Sequence, residues 1–202
     1  MSIQNEAMFK LSYGLFVLNA RDGDKDNGCI INTAMQITDK PLQIAVCVNK
    51  SNFTHDMIIK SREFNLSVLS EKANFEIFKR FGFSSGRETD KFANYSNVKR
   101  SENGIFYVTE SVNAFMSAKV SSVVDCGTHS MFVAEITEAQ VLNDDKSVTY
   151  EYYFAHIKPK PEKKKKGFVC KICGYVYEGE TLPEDFICPL CKHPASDFEE
   201  LK

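Results

Sequence analysis

Apolar residues in the first three quarters of the chain fall in short runs separated by turn residues. Leu11–Ala20, Ile30–Thr38, Leu42–Asn49, Phe64–Leu69, Gly104–Thr109, Ala118–Val124, Met131–Leu142 and Val148–Ile157 are rich in Val, Ile, Thr, Phe and Tyr. They read as about eight β-strands. Asp22-Gly23, Asn27-Gly28, Asn103-Gly104 and Asn143-Asp144-Asp145 supply turn chemistry between them. Thr54–Arg62 and Ala73–Phe81 carry helical patterns instead. Many strands with two or three helices packed on them predict a mainly β barrel. No internal repeat interrupts the series.

The pattern changes at Lys158. From there to Gly167 no apolar residue occurs, and residues 158–166 hold 6 Lys against 1 Glu. Two prolines and like-charge repulsion keep such a stretch extended. A basic run also suits a nucleic-acid or membrane patch, but fold-forming sequence on both sides favours a linker. The organisation expected is therefore a domain over 1–157, a Lys/Pro-rich linker over 158–166, and a small domain over 167–202. The small domain is acidic, with 3 Lys and 7 Asp or Glu, which repels phosphate and argues against a nucleic-acid partner. No apolar run reaches 18 residues, so no membrane span is expected. The N-terminus lacks a basic start and an apolar stretch, which predicts a cytoplasmic protein. Of 7 cysteines, Cys29, Cys47 and Cys126 are scattered and are expected to be small core residues in a reducing compartment.

The other four make two Cys-x-x-Cys pairs, Cys170-Lys171-Ile172-Cys173 and Cys188-Pro189-Leu190-Cys191. Each pair turns two sulfurs toward one ion, and the Gly174 that follows the first lets the chain fold back so that N–H groups point at sulfur. Four thiolates mean zinc or iron, and spacing alone does not choose between them. The flanks do: Phe168–Tyr177 with its Tyr175-Val176-Tyr177, Leu182–Cys191, and Ser196-Asp197-Phe198-Glu199 together resemble rubredoxin over residues 167–202. The resemblance implies one iron held by Cys170, Cys173, Cys188 and Cys191. Phe186 stands where the family usually has Trp, and Lys192 where it usually has Gly.

A one-electron centre needs a source of electrons, and a flavin is the usual converter from hydride. The Gly-x-Gly-x-x-Gly fingerprint is missing, which disfavours a Rossmann domain. Asn27–Ile37, Val48–Asp56, Phe83–Phe92 and Cys126–Ile136, taken in order, instead resemble the flavin reductase-like FMN-binding split barrel. That family implies FMN near a homodimer interface. Asn32, Thr33, Ala34 and Gln36 would lie by the ring, and Asn49, Lys50, Ser51 and Thr54 by the ribityl phosphate. Ser85, Gly86 and Lys91 would close the phosphate or pyrimidine side. His129 would stand by the flavin or nicotinamide in a catalytic role, and Tyr153 or Phe154 would stack. Each has a plainer reading: strand or turn polars for Asn32, Thr33 and Gln36, a helix cap for Thr54, a surface charge for Lys91, a satisfied barrel histidine for His129, and core for Tyr153 and Phe154.

Together the two parts resemble a flavin reductase-like domain fused to a rubredoxin. The combination implies that NADH or NADPH reduces FMN, that the iron receives electrons singly, and that a partner such as a flavodiiron oxygen or nitric oxide reductase takes them. Two rivals are an electron carrier reduced by a separate reductase, and a zinc-ribbon binding module on a flavin-binding barrel.

Overall fold

The computed structural model describes residues 4–159 and 167–201. Most of the linker expected over 158–166 therefore lies outside the described residues. After a short 3-10 helix at Asn5–Lys10, the first domain runs β1 (Phe16–Asp22), β2 (Lys25–Ile31), β3 (Ala34–Asp39), β4 (Leu42–Asn49), α1 (Phe53–Ser61), β5 (Glu63–Leu69) and α2 (Phe75–Gly82). A small hairpin, β6 (Val98–Arg100) and β7 (Phe106–Val108), precedes two long strands, β8 (Val112–Cys126) and β9 (His129–Val141). A single helical turn, α3 (Tyr150–Tyr152), continues into a π-helical turn at Tyr153–Ile157.

Seven strands form one antiparallel sheet in the order β2-β1-β5-β8-β9-β4-β3. Its two edge strands, β2 and β3, are joined by only two residues. Cys29 and Ile31 of β2 and Ala34 of β3 pack into the same core as Phe64, Leu66, Phe132 and Ala134 from the middle of the sheet. The sheet must curl for both edges to reach one core, and two register shifts between β8 and β9 bend it. This is the mainly β, split-barrel architecture expected from the strand pattern. α1 closes the barrel with Met57 and Ile58. Asn52 caps α1 by accepting from the Thr54 amide at 3.1 Å, as its residue type favours. A second core beneath α2 gathers Ile77, Phe78, Phe81, Val108, Val148 and Tyr153.

Five details depart from the sequence reading. The Val148–Ile157 strand is helical: Thr149 Oγ1 caps the turn by accepting from the Tyr152 amide at 3.1 Å, and Tyr150, Tyr153 and Phe154 cluster at helical spacing. The Leu11–Ala20 strand starts only at Phe16, because Tyr13 and Gly14 pair with Tyr150 and Thr149 instead of the sheet. Ile30–Thr38 is two strands, broken at Asn32-Thr33, where Thr33 Oγ1 donates to the Cys47 carbonyl at 2.9 Å. Asn27-Gly28 is not a turn but lies inside β2. Among the loose thiols Cys29 is buried and Cys47 half-buried, but Cys126 is exposed at the β8 end rather than in the core.

The small domain is a three-stranded sheet, β10 (Gly167–Cys170), β11 (Val176–Tyr177) and β12 (Phe198–Leu201), in the order β11-β10-β12. Phe186 packs on Tyr177 and Phe198 with ring centroids 4.8 and 5.4 Å apart, so it fills an aromatic position, the one at which the family resemblance implied a Trp.

Lys91 is 4% exposed. Its Nζ donates to the Gly28 carbonyl at 2.8 Å and to the Phe81 carbonyl at 3.0 Å. Burial pulls its pKa below the usual lysine range. Lys91→Met would leave both carbonyls unpaired in the interior. The expected loss is about 3 kcal/mol of stability in urea unfolding, and an unchanged midpoint would show that the two bonds contribute nothing.

Candidate functional site: two centres on one chain

The four-cysteine centre is built from two knuckles with the same hydrogen bonds. The Gly174 amide donates to the Cys170 carbonyl and the Lys192 amide to the Cys188 carbonyl, each at 2.9 Å. The Cys170 amide donates to the Tyr175 carbonyl and the Cys188 amide to the His193 carbonyl, each at 2.8 Å. Gly174 and Lys192 thus occupy equivalent left-handed positions, with φ of 79° and 62°. The non-glycine residue at Lys192 costs about 1 kcal/mol.

All four sulfurs lie within 4.8 Å of one another. The Cys170–Cys191 pair is 3.6 Å apart and the Cys173–Cys188 pair 3.4 Å. A tetrahedral ion with metal–sulfur bonds of about 2.3 Å needs sulfurs about 3.8 Å apart, so the cage fits one ion. Cys170, Cys173 and Cys188 are buried and Cys191 is half-buried. Backbone N–H groups of Ile172 and Cys173 point at the Cys170 sulfur, that of Tyr175 at Cys173 and that of His193 at Cys191. Taken by themselves, the sulfurs share charge unevenly. Hydrogen bonds from the Cys173 and Cys191 thiols hold Cys170 well below the usual thiol range. The Cys170 charge pushes Cys173 up to about 12 and raises Cys191 as well. A bound cation displaces those shared protons, the chemistry of a metal-thiolate site.

Several of the residues singled out in the first domain lie at one end of the barrel, where β4 runs out into α1. Asn49 pairs with His129 in the sheet register, and the Lys50 amide donates to the Thr128 carbonyl at 3.0 Å. Lys50 Nζ reaches Asp125 at the tip of the β8–β9 hairpin at 2.8 Å. Ser51 turns back on the Asn49 side chain at 2.9 Å. Thr54 is buried and accepts from Asn27 Nδ2 at 2.8 Å. Asn32, Thr33 and Ala34 are half-buried where β2 passes into β3, while Gln36 is exposed farther along that edge. Ser85 is exposed and Gly86 buried. A Cβ on Gly86 would stand 2.0 Å from Asn27 Oδ1, so this loop lies hard against Asn27 of β2. Arg87 stacks on Phe53 with its guanidinium 5.0 Å from the ring and bonds Asp56 at 2.6 Å, which holds the Asp56 carboxyl below its usual range.

Sequence reasoning missed Asn27, and reading Asn27-Gly28 as a turn hid it. The signal was Gly28: a Cβ there would meet Asn19 Oδ1 at 2.4 Å and the Phe81 ring at 3.0 Å, so the glycine serves close packing inside a strand. Asn27 is 1% exposed, and among the described residues its Oδ1 accepts no hydrogen bond. Phe154 is not with the group at the end of β4. It packs on Tyr150 and Tyr153, with Lys158 Nζ 4.5 Å from its ring centre. An unsatisfied buried oxygen, a glycine cradle that excludes any side chain, and polar groups from four segments fit a bound polar cofactor at this end.

The match to known proteins agrees with both centres. Residues 8–160 match the Flavin reductase like domain, and residues 168–199 match the Rubrerythrin, rubredoxin-like domain. The chain belongs to the flavin reductase-like family and carries a rubredoxin-like domain at its C-terminal end. It is 35% identical over 98% of its length, and 100% of the relative's, to the high molecular weight rubredoxin of Moorella thermoacetica. It is 40% identical to the ferric-chelate reductase (NAD(P)H) of Archaeoglobus fulgidus over 73% of this chain and 87% of that one. In fold it resembles the NADH:FAD oxidoreductase SgcE6 of Streptomyces globisporus, with a TM-score of 0.65 and 18% identity over 71% of this chain and 83% of that one. Its cofactors are accordingly FMN in the first domain and one iron in the four-cysteine site, and its chemistry is flavin-based electron transfer. No helix among the described residues is long and apolar enough to cross a membrane.

Gly86→Ala should drive the loop off Asn27. The expected cost is about 1–3 kcal/mol from overpacking, read by urea unfolding, together with loss of the flavin retained through gel filtration. Full flavin content at wild-type stability would show that the contact has room to relax.

Proposed function

We propose that the protein is an NAD(P)H-dependent oxidoreductase that passes electrons from FMN to its own iron centre and from there to a partner protein. One observation supports this above the others: Phe83 packs against the cluster formed by Cys170, Cys173, Cys188 and Phe198, while Gly86, three residues on, presses against Asn27 of β2 and Arg87 stacks on Phe53 at the start of α1. The four-residue stretch Phe83–Gly86 thus links the metal centre to the group of residues proposed for the flavin. The hairpin end bearing His129 also lies near the small domain: burial lowers the His129 pKa, and the nearby charge of His193 adds to it.

FMN supplies the step from hydride to single electrons. The chain's own part is binding and orientation. Asn32, Thr33, Ala34 and Gln36 border the ring, with Asn49, Lys50, Ser51 and Thr54 toward the phosphate. Ser85 and Gly86 close the loop over it. Lys91 holds the root of that loop through its two carbonyl bonds. His129 lies where nicotinamide would approach, and Phe154 belongs to the metal side. The names of the Archaeoglobus and Streptomyces relatives, an NAD(P)H-dependent and an NADH-dependent reductase, support a nicotinamide donor.

Met35 and Ile37, 67% and 44% exposed on edge strand β3, suit a homodimer through the barrel, since exposed apolar edges mark interfaces. The acceptor is a second protein, such as a flavodiiron oxygen or nitric oxide reductase. Exposed Ile187 and Leu190 beside the second knuckle, on an acidic domain, suit a partner with an apolar patch ringed by basic groups.

Anaerobic mixing with NADH or NADPH, followed in the visible range, tests the reading. Flavin and iron absorbance should both bleach within seconds with at least one donor. Iron that is reduced only when a separate reductase is added would make the protein a carrier. A colourless protein holding one zinc would end the redox reading.

A further inference from the structure

The link between the domains is not confined to the residues that lie outside the described part of the chain. Lys158 is the last residue but one of the described first segment, directly after the π-helical turn. Its amide donates to the Tyr153 carbonyl at 2.8 Å, so its backbone belongs to the first domain. Its ammonium lies 4.5 Å from the centre of the Phe154 ring and donates to the Lys171 carbonyl, inside the first knuckle. Its stem runs over the knuckle's turn, where a Cβ on Gly174 would lie 3.7 Å from Lys158 Cε and 3.9 Å from the Pro159 carbonyl oxygen. The charges of Cys170, Cys173 and Cys191 act on this ammonium, as does the carboxylate of Glu199. Burial opposes them and holds its pKa below the usual lysine range.

The same face of the first domain touches the knuckles elsewhere. Phe83 packs against the cluster of Cys170, Cys173, Cys188 and Phe198. Tyr150 lies within reach of the Cys191 charge and Tyr153 within reach of the Cys173 charge. Lys158 is the cation in an otherwise aromatic contact, placed against a site whose ligands are all negative when metal-bound.

We propose that Lys158 is a positioning residue that clamps the first knuckle to the aromatic turn of the flavin reductase-like domain and sets its positive charge beside Cys170, Cys173 and Cys191, so that docking raises the reduction potential of the iron. A four-thiolate iron site gains one negative charge on reduction, and a neighbouring cation stabilises the reduced form more than the oxidised one. The docked module is thereby the better electron acceptor. Leaving the clamp lowers the potential and makes the module the better donor. The contact thus gives direction to transfer from the first domain to a partner.

This inference rests on the reading that the centre cycles electrons. The test compares wild type, Lys158→Gln and Lys158→Arg as full-length, iron-loaded protein by potentiometric titration. Lys158→Gln should move the equilibrium about tenfold toward the oxidised form, about 59 mV for one electron, while Lys158→Arg keeps the wild-type value. An unchanged potential in Lys158→Gln, or equal shifts in both variants, overturns the electrostatic role. In zinc-loaded protein, nitrogen-15 relaxation of the small-domain amides should report tumbling with the whole chain in wild type and faster tumbling in Lys158→Gln. Identical tumbling overturns the clamp. If NADH and NADPH both fail to reduce the wild-type iron while Lys158→Gln still shifts its potential, the proposed donor reaction falls and the clamp stands.

Discussion

A single buried ammonium underlies the relation between the two centres. Taking a lysine out of water is costly, and the cost is tolerated only when its donors are matched. The two carbonyls that Lys91 meets come from different elements, β2 at Gly28 and the end of α2 at Phe81. The second sits at a helix C-terminus, where the backbone dipole favours a cation. The bond therefore fixes α2 against the barrel and anchors the stretch that leaves α2. Phe83, Ser85, Gly86 and Arg87 all ride on that stretch. Phe83 packs against the cluster around the sulfurs, Gly86 meets Asn27 of β2, and Arg87 reaches Phe53 at the start of α1. In the docked arrangement the spacing between the metal centre and the proposed flavin end is thus set inside a folded element.

The two halves of the chain meet their cofactors by different physical means. The metal centre is local: two near-identical knuckles bring four sulfurs together through short-range backbone bonds, and the aromatic residues Tyr177, Phe186 and Phe198 support them. The end of the barrel proposed for the flavin is assembled from segments far apart in sequence, which only the curling of the seven-stranded sheet brings together. The first arrangement depends on its ion for much of its stability, as small metal-bound domains do. The second draws on a core of fully buried residues such as Phe64, Leu66 and Phe132.

That contrast also explains what could be read from sequence. The cysteine ligands, the left-handed Lys192 and the aromatic substitution at Phe186 were legible because each depends on neighbours a few residues away. Most interior strands were legible for the same reason. Val148–Ile157 was misread because its β-rich composition hid a Thr cap followed by aromatics at positions suited to one face of a turn. Asn27 was missed because Asn-Gly is a strong turn signal, and only tertiary packing against Asn19 and Phe81 shows why a glycine follows it inside a strand. Lys91 had a plain reading as a surface charge, because nothing local announces that two distant carbonyls will enclose its ammonium. The residues proposed to border the flavin share this dependence on long-range placement.

The π-helical turn at Tyr153–Ile157 carries a geometric consequence. Its closing bond spans five residues, from the Lys158 amide to the Tyr153 carbonyl, where an α-helix would span four. Such a wide turn holds one residue more than regular winding, and each residue of a helix advances the chain by about 100° around its axis. The bearing on which the chain leaves the barrel is therefore a phase, stored in the count of residues within one turn. Removing a single residue there would swing the exit through more than a right angle and aim the tether at a different side of the molecule, with every residue of the tether itself unaltered.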